Sequence, residues 1–361
     1  MTPDPASQDA AGVVPALFRL YYHRGEVLER SSGYQPSLDN YRAMGRLAAA
    51  LGERAQLLRA RIETGYRLTL LGRYDEALAV HRDAAAELDG GEVALRSRNW
   101  QCLAIVLRLL GRYEEALDAH RRAAQGDDDE ARVHSGKNSL GHTLWRMGRY
   151  DEAVGCFREM LAWAESHSLI IHEATAHNNL GLVYADMERL AEARTHHEKA
   201  LRLRTMFHDA GAVCSSYLNL GNILVQQDDA AGGVALWGRA REISRRLGDA
   251  ATEAMIENNL GEVAYNAGDY PAALAHFGRS LAMKEALNLR SYLASSLEGL
   301  AKTHYELRAD PAHRELCRRN AQRLLALDAA RPRQQQTARE ILDSLGDPEP
   351  GPKPVDKAAP N

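Results

Sequence analysis

The chain has 361 residues, 45% hydrophobic and 26% charged, with a net charge of −4. That composition suits a soluble chain with ample core, and the near-balanced charge excludes a nucleic-acid surface covering the whole molecule. The four cysteines, Cys102, Cys156, Cys214 and Cys317, lie far apart with no CxxC pair. They therefore suggest neither a zinc site nor a disulfide framework, and read as buried reduced thiols of a cytoplasmic protein.

In chain order, the opening MTPDPASQDA has no basic n-region or apolar h-region, so no signal peptide is expected, and residues 1–14 read as disordered. No apolar run approaches the length of a membrane span. From Gly25 a small residue then returns at Gly65, Ala104, Gly141, Gly181, Gly221, Gly261 and Ala301, in steps of 37 to 40. A fixed period in that range signals a solenoid.

The unit Asn258 to Ala286 shows the plan. Leu260, Val263 and Ala264 form one face of a helix A, and Asn266-Ala267-Gly268-Asp269 breaks it. Ala273, Leu274, Phe277 and Leu281 then face helix B inward. The turn recurs as GRYDEA (72–77), GRYEEA (111–116), GRYDEA (148–153), ERLAEA (188–193) and GDYPAA (268–273). Its glycine accepts a backbone that bulky residues resist, and the acidic residues suit the dipole of helix B. The glycines of the recurring Leu-Gly pairs (140–141, 180–181, 220–221, 260–261) sit mid-helix, which makes sense where a neighbour packs closely. Repeats are expected over about 15–52, 53–91, 92–127, 128–168, 169–208, 209–248, 249–288 and 289–327. Asp310-Pro311 should open the last helix B as N-cap and first-turn proline. Ala338, Ile341, Leu342 and Leu345 predict a capping helix over 332–346, and the Pro-rich tail 347–361 reads as disordered.

Gly261, Gly268, Tyr270, Ala273, Phe277 and Ser280 match a small residue at position 8, Gly 15, Tyr 17, Ala 20, an aromatic at 24 and a small residue at 27. This pattern resembles the tetratricopeptide repeat (TPR) over roughly residues 15 to 327. The units exceed the common 34 residues, adding about 4.5 Å per helix. Such long units resemble those of kinesin light chains, peptide-sensing TPR regulators and the arrays of bacterial ATP-binding transcription regulators. The resemblance implies an all-α, right-handed TPR superhelix (α-solenoid) of about eight helix-turn-helix repeats with a C-terminal capping helix.

It further implies that positions 2, 5, 6, 9, 12 and 13 of each A helix line a concave groove, a set that follows i, i+3, i+4, i+7. Over the first four units those places hold Arg19, Arg30, Arg59, Arg98, Arg108 and Arg146, with His23 and His142, offset by Glu26, Glu29 and Glu63. The middle is rich in asparagine: Asn138, Asn178, Asn179, Asn219, Asn222, Asn258, Asn259 and Asn266. The last zone mixes Glu262, Glu298, Lys302, Tyr305 and Glu306. Asn179, Asn219 and Asn259 recur at one position. An amide both donates and accepts, as an extended main chain demands. The family's use of an asparagine there implies peptide contact, and the alternative is bonding to the adjacent repeat or to water. The arginines suit an acidic segment or a terminal carboxylate. Trp145 and Tyr265 are candidate aromatic anchors, or inter-repeat packing.

No catalytic set emerges. His172-Glu173-Ala174-Thr175-Ala176-His177 spaces its histidines by five, which puts the second ring about 140° away on a helix, unlike a zinc protease. His81, His120 and His197 share position 24 and read as semi-buried spacers. Asp127-Asp128-Asp129-Glu130 enriches the next helix N-terminus with negative charge. The expectation is a cytoplasmic scaffold or regulator without cofactor or metal. It should bind a protein or peptide segment, with no nucleic acid or membrane partner. The rivals are a peptide-signal sensor controlling a transcription regulator by change of superhelix curvature, and an enzyme or enzyme subunit using groove histidines such as His142.

Overall fold

The computed structural model describes residues 5–88, 92–289, 292–327 and 332–346. Every regular element among them is an α-helix. These are α1 (Pro5–Ser32), α2 (Tyr34–Leu51), α3 (Arg54–Leu70), α4 (Tyr74–Glu87), α5 (Val93–Leu109), α6 (Tyr113–Ala124), α7 (Glu130–Arg146), α8 (Tyr150–Ser166) and α9 (Ile170–Asp186). They continue as α10 (Leu190–Met206), α11 (Ala210–Gln226), α12 (Ala230–Leu247), α13 (Ala250–Asn266), α14 (Tyr270–Ala286), α15 (Leu293–Glu306), α16 (Pro311–Leu325) and α17 (Pro332–Ser344). The fold is the all-α helical-repeat class that the period implied. The first helix starts at Pro5, inside the stretch expected to be disordered. The tail expected to be disordered, 347–361, lies outside the described residues. No helix among the described residues is long and apolar enough to cross a membrane.

The chain divides into two units, Met1–Val183 and Tyr184–Asn361. In the first, α1 packs on α2, α3 on α4, α5 on α6 and α7 on α8; in the second, α11 on α12, α13 on α14 and α15 on α16. The turns explain the hairpins. Gly72, Gly111, Gly148 and Gly268 hold φ between 74° and 76°. The residue after each then returns its N–H to a carbonyl five residues back, as in Arg112 N to Leu107 O at 2.8 Å. Glu188 and Asp228 take the same left-handed place without glycine. Helix B starts carry a device the acidic pattern only half revealed. Arg73, Arg112, Arg149 and Arg189 stand at the N-cap, and each grips the glutamate three residues on with two guanidinium nitrogens.

The core follows the repeat positions. The small residue of helix A receives the position-24 side chain of helix B. A β-carbon on Gly25 would meet Tyr41 at 2.4 Å, on Gly65 His81 at 2.6 Å, and on Gly141 Phe157 at 2.7 Å. In the second unit Gly221 meets Trp237 and Gly261 meets Phe277 the same way. The histidines at this position are fully buried rather than semi-buried: His81, His120 and His197 all belong to the core. Asp310 caps α16 through Ala312 N at 2.8 Å as the sequence indicates, and Asp129, in the acidic run, caps α7 through Arg132 N at 2.9 Å. Asp127 pairs with Arg132, which holds its carboxyl down to about 2. Ala338, Ile341, Leu342 and Leu345 bury one face of α17 on α15 and α16. Cys102, Cys214 and Cys317 are buried free thiols and Cys156 is half-buried.

Candidate functional site

In the first unit the expected arginines divide into paired and unpaired groups. Arg98 Nε lies 3.5 Å from Glu63 Oε1, with the guanidinium 5.0 Å from the centre of the Tyr66 ring. Glu63 also binds Arg67, a residue the groove pattern passed over. Arg67 is 4% exposed, reaches Glu29 at 2.7 Å and sits over Tyr41 at 4.6 Å. Burial in such a knot serves cohesion, since separating either charge would strand the other. The i, i+4 spacing of Glu63 and Arg67 was its signal in the sequence.

The remaining cations are differently placed. Arg19 and His23 of α1 and Arg59 of α3 line one cavity of about 190 Å³ with Phe18, Tyr22 and Gln56. Arg19 and Arg59 are exposed and form no ion pair among the described residues. Arg108 of α5 is half-buried, and its Nε finds no acceptor among the described residues. Burial and the nearby Arg146 of α7 both press its pKa down, with no carboxylate to offset them. His142 packs edge-on to Phe157 at 5.3 Å and near Trp145 at 5.9 Å; burial, then Arg108, drives its pKa to about 4. The side chain of Arg30 lies outside the described residues.

The asparagines form inter-repeat bonds within each unit. In the first, Asn179 Nδ2 donates to Asn138 Oδ1 at 2.8 Å, and half-buried Asn178 lies beside Asn179 at 3.5 Å. In the second, Asn259 Nδ2 donates to Asn222 Oδ1 at 2.8 Å, an oxygen shared with Trp237 Nε1 at 3.1 Å. Asn219 is half-buried on α11. These bonds fix the amides of Asn138 and Asn222, oxygen inward. Their Nδ2 groups make no other bond among the described residues. At Asn179 and Asn259 the recurring position thus supplies a bond between repeats, and the bonded neighbours Asn138 and Asn222 keep their amide donors oriented.

Asn258 turns inward instead. It is buried, donates to Glu262 Oε1 at 3.2 Å, and accepts from Ser296 Oγ at 2.9 Å and Lys284 Nζ at 3.3 Å. Lys284, which the sequence did not single out, is 2% exposed and bonds Ser295 and Ser296 at 3.0 and 2.8 Å. Among the described residues it has no carboxylate in contact, and burial lowers its pKa to about 8, only partly offset by Glu262. Unfolding restores the ordinary value near 10.5, so the unfolded chain binds more proton between those values and stability rises with pH across that window. Lys284→Met is expected to stabilise the protein by about 1–3 kcal/mol at pH 7, with a smaller gain at pH 9.5. Urea midpoints at both pH values measure this.

A cavity of about 570 Å³ adjoins this network. Glu262, Tyr265 and Asn266 of α13, Glu298 and Lys302 of α15, and Gln334 of α17 are among its lining residues. Tyr265 also reaches Glu306 at 3.4 Å. The HExxxH segment does not act as a unit. His172 is exposed and packs edge-on to Trp163 at 5.6 Å, whereas His177 is buried, near Glu173 and Glu165.

Sequence profiles of the tetratricopeptide repeat match residues 129–206, 172–231 and 212–286, and another matches 102–122. No curated protein sequence matches the chain. Among solved structures, a Rap protein complexed with competence and sporulation factor superposes with TM-score 0.60 at 12% identity, over 92% of this chain and 99% of that one. A STAND signal-transduction ATPase with a tetratricopeptide repeat sensor, from Pyrococcus horikoshii, gives 0.59 at 13% identity, over 92% of this chain and 50% of that one. BtubC (BKLC) from P. vanneervenii gives 0.51 at 20% identity, over 60% and 93%. At such identities the likeness is one of fold.

Proposed function

We propose, from the premise that the chain is a tetratricopeptide-repeat protein, that it is an interaction scaffold or regulator whose A helices hold an extended protein segment. The observation that carries this reading is the unpaired cation set of the first unit. Among the described residues, Arg108 is desolvated without an acid, next to Arg146, and Arg19 and Arg59 share a cavity without a counter-charge. Desolvating a cation without a partner is costly, and a ligand carboxylate would offset that cost through charge-assisted, bidentate bonds. The oriented Nδ2 donors of Asn138 and Asn222 suit main-chain carbonyls. The Rap structure that contains competence and sporulation factor supports the same use of this fold.

The test is titration of the full chain with acidic and amide-capped peptides. Arg108→Ala combined with Arg146→Ala is expected to weaken an acidic peptide by about 10- to 100-fold, with unchanged circular dichroism. Equal affinity for the double variant would place acidic recognition elsewhere. Asn179→Ala, Asn219→Ala and Asn259→Ala together should preserve helix content but cut binding by about 2–4 kcal/mol, because the Asn138 and Asn222 donors that Asn179 and Asn259 orient are lost. Unchanged binding would make these amides purely structural.

A further inference from the structure

The 570 Å³ cavity of the second unit has a chemistry opposite to that of the arginine wall. Its charged groups are unequally matched. Glu298 is satisfied at both oxygens, by Lys302 Nζ at 2.6 Å and Gln334 Nε2 at 3.0 Å. Lys302 thereby spends its charge inside the wall. Glu262 receives a neutral amide bond from Asn258 and, among the described residues, no cation in direct ion-pair contact; Lys302 and Lys284 act on it only from further off. Its carboxylate stays open on the cavity side, yet the surrounding walls and then the Glu298 charge push its pKa up. Lys284 stands behind the wall, tied to Asn258, Ser295 and Ser296, and Arg333 is an exposed cation at the lining. Tyr265 and Tyr292 supply aromatic surface, with buried Phe277 behind them. An unmatched carboxylate beside aromatic rings is the setting in which a guanidinium or ammonium gains from both ion pairing and ring faces. The volume suits one long side chain and its backbone.

We propose that this cavity receives a basic side chain, arginine or lysine, of the bound segment, with Glu262 as its counter-ion and Tyr265 and Tyr292 as its aromatic walls. This rests on the reading that the chain holds a protein segment. It adds the sign of charge read in the second unit, positive, where the first unit reads negative.

The experiment titrates N-acetyl-arginine methylamide into the full chain by saturation-transfer NMR, with the leucine and glutamate analogues as comparators. The arginine probe is expected to bind in the millimolar range and the other two at least about tenfold more weakly. Glu262→Gln, which keeps the size of the side chain, should weaken the arginine probe about tenfold. Lys302→Met and Arg333→Ala should each leave it unchanged or tighten it, because they remove competing cations. No preference for arginine, or indifference to Glu262→Gln, overturns the assignment. A preference for the glutamate probe that Lys302→Met abolishes overturns it in favour of an anion site. The acidic-peptide titration at Arg108 and Arg146 probes the other unit. Its failure leaves the arginine-probe result standing, and failure here leaves the acidic-peptide result standing.

Discussion

Taking the protein from pH 7 to pH 4.5 is expected to melt repeats before its ion-paired carboxylates titrate. Five histidines, His81, His120, His142, His197 and His304, have pKa values lowered from 6.5 to about 4, in each case chiefly by burial. A base depressed in the folded state binds less proton there than in the unfolded chain. Its contribution is therefore intact above pH 6.5 and is lost as the pH falls toward 4. At pH 4.5 the loss is about 2–3 kcal/mol per histidine, and the five together approach the whole stability of a typical domain. Asp127, held down to about 2 by Arg132, stays ionised through that window. Circular dichroism against pH should show a transition centred above 4, and a flat helical signal down to pH 4 would refute it. The repeat supplies its own control. Where His197 stands, other repeats place Tyr41, Phe157, Trp237 and Phe277, and His197 Nδ1 is buried with no hydrogen-bond partner among the described residues. His197→Phe should move the acid midpoint downward without loss of stability at pH 7.

The histidines show how far the sequence could be read. Their shared place at position 24 put them between helices, and that was legible because position 24 holds Phe or Trp in sister repeats. Their complete burial was not, because it depends on how closely helix A approaches. The turns were legible wherever glycine stood. Glu188 and Asp228, which adopt the same backbone without it, show that the helical faces and not the glycine set the turn. The site was read less fully. The groove positions named Arg19, His23 and Arg59, and the structure gathers these three round one cavity. The same rule named Arg98 and Asn258, which spend their polar groups on Glu63 and on Lys284, Ser296 and Glu262. A linear pattern assigns a face to each residue, but which charge finds an internal partner depends on contacts with the neighbouring helices. Arg67 and Lys284 escaped notice for that reason: each lies off the groove positions, and its partners come mainly from other helices.

Gly221→Ala, a change of one methyl group, is expected to destabilise the second unit by about 3–5 kcal/mol. Helices α11 and α12 meet here at a pair of glycines. A β-carbon on Gly221 would lie 2.5 Å from Trp237 Nε1 and 3.0 Å from the backbone oxygen of Gly233. One on Gly233 would lie 2.8 Å from Gly221 O, so neither backbone can withdraw from the other cheaply. Trp237 is 2% exposed, and its indole N–H is shared between Leu218 O at 3.2 Å and Asn222 Oδ1 at 3.1 Å. The methyl group would push the ring from both acceptors, adding a lost buried hydrogen bond to the cost of overpacking. The displaced ring would also take away one of the two donors that hold Asn222 Oδ1, leaving Asn259 Nδ2 alone to orient it. Gly238→Ala supplies the opposite sign on the same helix. Beyond its own helix backbone, no atom of the described residues lies within 4 Å of its added carbon, so the better helix propensity of alanine should stabilise the protein by about 0.5–1 kcal/mol. Urea unfolding followed by tryptophan fluorescence would resolve both. If Gly221→Ala unfolds at the wild-type midpoint, α11 and α12 do not cross as closely as this packing requires.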